Sequence, residues 1–378
     1  MPFTKIKDSL PPRIKRTRQA LADLKLDALI VVHPWDVRYL TGFRGEDSLL
    51  VLTDKKIILV TDNRFELQLK KECPRLSFFL RKGKYQKLSN AVAHVLQKSL
   101  KPGKKKPPTV GIESTAVTLA QFRTLKKAIG PSLRQSSPII EKLRVTKDPY
   151  EISKIKNAVR VAQQAMTETL SQIKIGISEI ELAAILEYNM AKRGSSAPAF
   201  KSIVAFGPNA AQPHAIPGNT KLKKSHTILC DWGATVDGYR SDLTRCFVKG
   251  RIPPSFKEAY KWVLEAQLAA IAEIRAGASI KTIDQAARNV IKKSKFPIYQ
   301  HGTGHGLGLE IHESPLLSVH AEGHINEGMV ITIEPGVYLP GKFAIRIEDD
   351  VLVTATGRKV LSNLPKDTHS LISWKQKK

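Results

Sequence analysis

The chain has 378 residues, 42% hydrophobic and 25% charged, which is long enough for two domains with sizeable cores and excludes a disordered or fibrous protein. No apolar run approaches the roughly 18 residues that cross a bilayer, so no membrane partner is expected. The net charge of +27 is uneven, with 30 Lys/Arg against 12 Asp/Glu in residues 1–145. Such a field could attract nucleic acid, but no nucleic-acid motif accompanies it, so any such binding is expected to be weak and non-specific.

The first stretch, "MPFTKIKDSLPPRIKRTRQ", is basic without an apolar core and does not read as a secretory signal. "DALIVV" (27–32), "SLLVLT" (48–53) and "KIILVT" (56–61) are apolar, β-branched runs that predict buried strands. "KLSNAVAHVLQKSL" (87–100) has helical spacing, and "KPGKKKPPT" (101–109) is too charged and Pro-rich to pack. A strand is predicted at "TVGIES" (109–114) and a helix at "TLAQFRTLKKAIG" (118–130), ending at a glycine. This alternation predicts an α/β domain over residues 1–142. The three cysteines, Cys73, Cys230 and Cys246, form no C-x-x-C pair and fit a reducing cytoplasm.

From residue 143 the pattern changes. Ile152, Ile155, Val159, Ala162, Met166, Leu170 and Ile173 form one apolar stripe on a long helix. Ser178 and Glu181 form a capping box for a second helix ending near Gly194. Strands follow, then a helix over about 254–276, a Ser279-capped helix to about 294, and strands from 329 to 353. Helix–helix–strands therefore occurs twice, which predicts an α+β domain over residues 143–378.

Each repeat ends in a hairpin with carboxylates. In "CDWGATVDGYRSDLTRCFV" (230–248), Asp237-Gly238 is a two-residue turn signal. Folding there pairs Val236 with Tyr239, Gly233 with Asp242 and Asp231 with Thr244. Asp231 and Asp242 then lie diagonally on one face, roughly 7–8 Å apart. Such a pair repels unless a proton or cation lies between its members. The plainer reading is solvent-facing charge. In "MVITIEPGVYLPGKFAIRIEDDVLV" (329–353), a loop at 340–342 sets Glu334 opposite Glu348, unless Pro335 and Gly336 introduce a bulge. A buried Glu at the end of each apolar strand needs a partner, either a cation or an Arg such as Arg346 or Arg240. Between the hairpins, "YQHGTGHGLGLEIHESP" (299–315) holds His301, His305 and His312 among four glycines. Asp231, Asp242, His305, Glu334 and Glu348 together suit Mn²⁺, Co²⁺, Zn²⁺ or Fe²⁺. Five side chains are too many for one tetrahedral zinc and suit two bridged metals.

The order and spacing of these motifs resemble the pita-bread metallopeptidases, in the aminopeptidase P and prolidase branch. The motifs are "LRVTKDPYEISKIKNA", "DWG…SDLTR", "HGTGHGLGLEIHE", "IEPGVY" and "RIEDD", with "VRYLTGFRG" and "VGIES" in a creatinase-like N-terminal domain. Cys246 stands where that family commonly has Thr, with no effect expected on metals. The resemblance implies a pita-bread catalytic domain with pseudo-twofold helix–helix–strand repeats. It implies two divalent ions per chain, manganese first among the candidates. Asp231 would bind one ion, His305 and Glu334 the other, and Asp242 and Glu348 would bridge both. The implied reaction is hydrolysis of Xaa-Pro bonds, at peptide N-termini or in dipeptides, by a hydroxide on the dinuclear centre. Glu334 would shuttle the proton. His214, His301 and His312 would contact the proline-containing peptide, and Arg346 would help hold substrate or a ligating Glu. A cytoplasmic homodimer is implied as well. The competing class is a pita-bread scaffold that binds nucleic acid or protein without catalysis; five intact ligands oppose it.

Overall fold

A computed structural model describes residues 6–100 and 107–367, so most of the loop expected at 101–109 lies outside the described residues. The chain divides into two compact units, residues 1–144 and 145–378.

In the first unit, helix α1 (Ile6–Asp23) leads into β1 (Ala28–Val31) and α2 (Pro34–Thr41). Next come β2 (Leu49–Thr53), β3 (Ile57–Thr61), α3 (Glu66–Glu72), β4 (Ser77–Leu80) and α4 (Leu88–Ser99). The unit closes with β5 (Val110–Glu113), α5 (Leu119–Ile129), β6 (Leu133–Ser136) and α6 (Ile140–Arg144). The strands form one mixed sheet, ordered β4-β3-β2-β1-β5-β6. The β1–β2 and β2–β3 pairs are antiparallel, and the other three are parallel. Apolar side chains of α4 (Val92, Val95, Leu96) and of α5 (Leu125) cover Ile30, Val51 and Ile112 of the sheet. The strands and helices expected from apolar runs are present. Helix α1 was not expected, because Pro11 and Pro12 lie inside it. Its anchor is polar: buried Arg13 donates to the Tyr39 carbonyl at 2.9 Å and lies over the Tyr39 ring.

The second unit opens with the long helix α7 (Pro149–Leu170) and then α8 (Glu179–Lys192). The Ser178–Glu181 capping box forms, and Asp148–Glu151 makes another at the start of α7. Strands β7 (Ile203–Phe206), β8 (Thr227–Trp232), β9 (Thr235–Val236), β10 (Tyr239–Arg240) and β11 (Leu243–Val248) follow. The second repeat has α9 (Pro254–Glu273), α10 (Ile280–Lys292), β12 (Gly304–Gly306) and β13 (Glu313–Leu317). It ends with β14 (Val330–Ile333), β15 (Gly336–Leu339), β16 (Phe343–Arg346), β17 (Asp349–Thr354) and β18 (Gly357–Val360). Ser279 stands at the N-cap of α10, but its side chain makes no capping bond, which corrects the expected cap.

Each repeat buries its own helix pair. Leu182, Leu186 and Met166 of α7 and α8 pack on Val204, Ile228 and Trp232, and the Trp232 indole donates to the Ala162 carbonyl at 3.0 Å. Val263, Ala270 and Ile283 of α9 and α10 pack on Ile331, Ile345 and Val351. Two helix–helix–strand repeats following an α/β unit match the pita-bread and creatinase-like domains that the resemblance implies. No helix among the described residues is long and apolar enough to cross a membrane.

Candidate metal centre

The first hairpin folds in the expected register. Asp237 and Gly238 both have positive φ, 48° and 76°, as the tight turn requires. Val236 lies opposite Tyr239, and Asp231 opposite Thr244. The second hairpin also keeps one register throughout. Leu339 pairs with Phe343 and Gly336 with Arg346, and beyond Pro335 the ladder resumes with Ile333 opposite Asp349. Pro335 therefore interrupts the ladder without a bulge, and Glu334 and Glu348 face each other at the interruption. His305 reaches the same place on β12, which lies beside β14. A Cβ at Gly304 would come within 1.9 Å of the Thr332 carbonyl oxygen, so only glycine admits this approach.

Among the described residues, Asp242, His305 and Glu348 each offer a ligand atom within 4.8 Å of the others. Glu334 adjoins them, its Oε1 lying 3.4 Å from His305 Nε2, and Asp242 Oδ2 lies 3.6 Å from that same nitrogen. His305 Nδ1 lies 2.9 Å from the Gly306 carbonyl, which can only accept. Nδ1 therefore carries the proton and Nε2 presents a lone pair to the carboxylates, the tautomer a metal ligand needs. Asp231 is turned aside. Its Oδ2 accepts from Arg346 Nη2 at 2.5 Å, and its buried Oδ1 has no hydrogen-bond partner.

These groups are crowded and dry. Burial pushes the Asp242 carboxyl well above its usual range, and the charges of Glu348 and Asp231 add to the effect. Burial also raises Glu348, with help from Glu334 and Asp231. Glu334 is pushed up to about 7 by burial against the opposing charge of Arg346. Four carboxylates crowded around one neutral imidazole and one guanidinium can all stay charged only with cations between them. The unpartnered Asp231 oxygen and the bare His305 nitrogen are the acceptors such cations would use. The donor set fits hard or borderline divalent metals.

The supporting polar shell was not read from the sequence. Thr244 Oγ1 donates to Glu348 Oε2 at 2.6 Å and accepts from Arg346 Nε at 3.2 Å. Thr332 Oγ1 accepts from the His305 amide at 3.0 Å. Tyr338 accepts from Arg346 Nη1 at 2.8 Å and faces His301 Nε2 at 2.9 Å. His301 Nδ1 donates to the Gly302 carbonyl at 2.7 Å, so Nε2 takes the Tyr338 proton. Burial lowers His301 to about 4, which keeps it neutral. Arg288 donates to the His301 carbonyl at 2.6 Å and pairs with Asp284. Tyr338 in "IEPGVY", a polar tip on an apolar strand, was the available signal. The threonines gave none.

The remaining expected residues surround the cluster. His312 is exposed, its ring centred 4.5 Å from that of His305. His214 is also exposed, on the loop after the turn Gly207–Ala211. Arg346 is buried and points at Asp231, Thr244 and Tyr338, so among the carboxylates it holds an Asp and not a Glu. Arg240 donates to the Ala199 carbonyl. Cys246 is buried with its sulfur 3.5 Å from the Arg346 carbonyl.

This chain belongs to metallopeptidase family M24, whose pattern matches residues 153–355. Residues 13–146 match the creatinase/prolidase N-terminal domain. A curated relative, the Xaa-Pro dipeptidase of Pyrococcus furiosus, is 32% identical over 358 residues, covering 94% of this chain and 99% of its own. Among solved structures, the Xaa-Pro dipeptidase from Bacillus anthracis is similar at TM-score 0.89 and 32% identity, covering 95% of this chain and 99% of that one. The X-Pro aminopeptidase from Thermotoga maritima MSB8 follows at TM-score 0.85 and 32% identity, covering 93% and 99%.

Proposed function

We propose that this protein is a metal-dependent exopeptidase that hydrolyses Xaa-Pro bonds, in dipeptides or at the N-termini of longer peptides. The observation that carries the reading is the bare His305 Nε2 facing Asp242 and Glu334 beside Glu348. Asp231, Asp242, His305, Glu334 and Glu348 would hold two divalent ions, manganese foremost, which when bound would activate water and polarise the scissile carbonyl.

The chain's own residues do the rest. Asp242 and Glu348, the most deeply buried carboxylates of the set, would serve as ion ligands shielded from solvent. Glu334 keeps 18% of its side chain exposed, so it can reach both the water and the substrate. It would take the water's proton and deliver it to the leaving imino nitrogen of proline. That nitrogen carries no N–H in the intact bond and must gain a proton to leave. Exposed His214 and His312 would bind the peptide at the mouth of the site. Neutral His301, pinned by Tyr338, would offer its ring edge from the side. Arg346 fixes Asp231. A scaffold that only bound partners would have no use for four carboxylates whose burial is this unfavourable. Three free, buried cysteines support a cytoplasmic setting, and the family resemblance supports a homodimer.

Ala-Pro and Ala-Pro-Ala, assayed with Mn²⁺, Co²⁺ and Zn²⁺, test the reading. Metal-dependent release of alanine from either is expected, and the preferred peptide assigns dipeptidase or aminopeptidase character. No cleavage with any metal would overturn it.

A further inference from the structure

The charge of the first unit is concentrated. Residues 73–140 contain 14 Lys/Arg and a single acid, Glu113. Glu113 is buried and accepts from the amides of Ile139 and Ile140, so it offers nothing at the surface. Arg81 is neutralised by Asp62 at 2.5 Å. Lys82, Lys84, Lys87 and Lys98 are exposed and make no ion pair among the described residues. Four further lysines of the stretch, at 101–106, lie outside the described residues.

The same region holds a cavity of about 730 Å³ between the turn Gly83–Tyr85, α4 and the end of α5. Lys84, Tyr85, Asn90, His94, Gln97 and Ile129 line it. Two of its lining side chains, Tyr85 and His94, carry rings, set among aliphatic and polar neighbours. The Tyr85 and His94 rings stack at 4.3 Å and 28°, and Phe79 packs on both at 5.8 and 5.5 Å. Lys84 Nζ lies 5.2 Å from the Tyr85 ring centre. Phe79 fixes the ring pair, so the aromatic surface is preformed.

We infer that this face of the N-terminal unit binds single-stranded nucleic acid without sequence preference. The phosphates would run along Lys82, Lys84, Lys87 and Lys98. A base would enter the cavity against the Tyr85–His94 pair, with the amides of Asn90 and Gln97 beside its edge. Lysines alone would suit any polyanion. A concavity with a fixed ring pair beside them suits an unpaired base, whose flat face is free to stack. A duplex keeps its base faces covered, and a polyphosphate or an anionic lipid surface has no ring to insert. This role is separate from the peptidase reading, because every residue it uses lies in the first unit and every proposed ligand in the second.

Fluorescence anisotropy of full-length protein with a labelled oligothymidylate about 12 nucleotides long tests this at near-physiological salt. Binding is expected, and unlabelled single strand should compete about tenfold better than duplex of equal length. Lys84→Glu, at an exposed position, should weaken binding about tenfold and lower the salt slope by about one or two. Tyr85→Ala should weaken single-strand binding about tenfold with the slope unchanged. Cleavage of Ala-Pro should stay at the wild-type level in both variants. The inference is overturned if no binding occurs, if polyphosphate or anionic vesicles compete as well as the single strand, or if Lys84→Glu binds as wild type does. Should Tyr85→Ala lower the melting temperature sharply, His94→Gln replaces it, with the same expected loss.

Discussion

Thr244 joins the two carboxylate-bearing hairpins to each other through Glu348. Its hydroxyl donates to Glu348 Oε2 at 2.6 Å, and its carbonyl accepts from the Glu348 amide at 3.2 Å. The two residues form an isolated antiparallel bridge between ladders that otherwise belong to different sheets. One hydroxyl thus orients a ligand from the second repeat on a strand of the first. Arg346 Nε donates to the same hydroxyl at 3.2 Å, which fixes the direction of its proton toward Glu348.

Thr244→Val removes that bond and keeps the shape. Loss of such an outer contact typically costs 10–100-fold in metal affinity or activity. We expect a fall of about tenfold in metal affinity, measured by calorimetric titration of chelator-stripped protein, with the circular dichroism spectrum unchanged. Wild-type affinity would mean that Glu348 is held by its backbone alone.

His305 and His301 separate metal from substrate roles within "HGTGH". His305→Ala should reduce metal content after dialysis, measured by elemental analysis. His301→Ala should leave metal content near normal and lower kcat or raise KM, since His301 spends its nitrogens on Gly302 and Tyr338. The reverse pattern would exchange the two assignments.

The sequence exposed the centre because hairpin physics is local. The Asp237-Gly238 turn and the alternation of strand side chains put Asp231 and Asp242 on one face. The three-residue loop at Pro340 did the same for Glu334 and Glu348. What stayed hidden depends on contacts distant in sequence. Thr244 meets Glu348 across 104 residues, and Arg346 meets Asp231 across 115. Neither pair has a periodicity to read. Asp231 showed the limit most clearly, since its position was legible but the rotation of its carboxylate toward Arg346 was not. Helix α1 was missed for another reason. Its prolines argue against a helix, and the buried Arg13 that anchors it looks in the sequence like one more surface charge. The Tyr85–His94 stack joins a turn to a helix, and spacing alone gives no sign of it.

Acid should loosen the first unit through Asp62. Its carboxyl accepts from the Arg64 side chain at 2.9–3.0 Å and from Arg81 at 2.5 Å. Chiefly through Arg64, this holds it down at about 2. The unfolded value is near 4, so the contribution is present above about pH 4 and is lost as pH falls toward 2. Arg64 is largely exposed, so screening limits the effect to below about 1 kcal/mol. Asp62→Asn should therefore unfold at a lower denaturant midpoint than wild type at pH 7, with the gap closing by pH 2–3. A gap that widens on acidification would contradict the depressed value.

Glu348→Gln should stabilise the metal-free protein and weaken the metal-bound one. Asp242, Glu334 and Glu348 crowd a buried site where burial and each other's charge raise their affinity for protons. Without cations, each charge that remains there opposes folding. Removing one by an amide of the same shape relieves that repulsion, and the glutamine oxygen can still accept from Thr244. A relief of about 1 kcal/mol would raise the metal-free melting temperature by roughly 2–4 °C in a unit of this size. Cations reverse the sign. They bind the folded state and stabilise it by mass action, so a weakened ligand set returns less of that gain. Thermal melts of stripped and Mn²⁺-reconstituted protein should show a large upward shift with metal in wild type and a small one in Glu348→Gln. Ala-Pro hydrolysis should fall with it. An equal metal shift in both proteins would show that Glu348 is not a ligand, and a lower metal-free melting temperature in the variant would show that the crowded carboxylates are not in conflict.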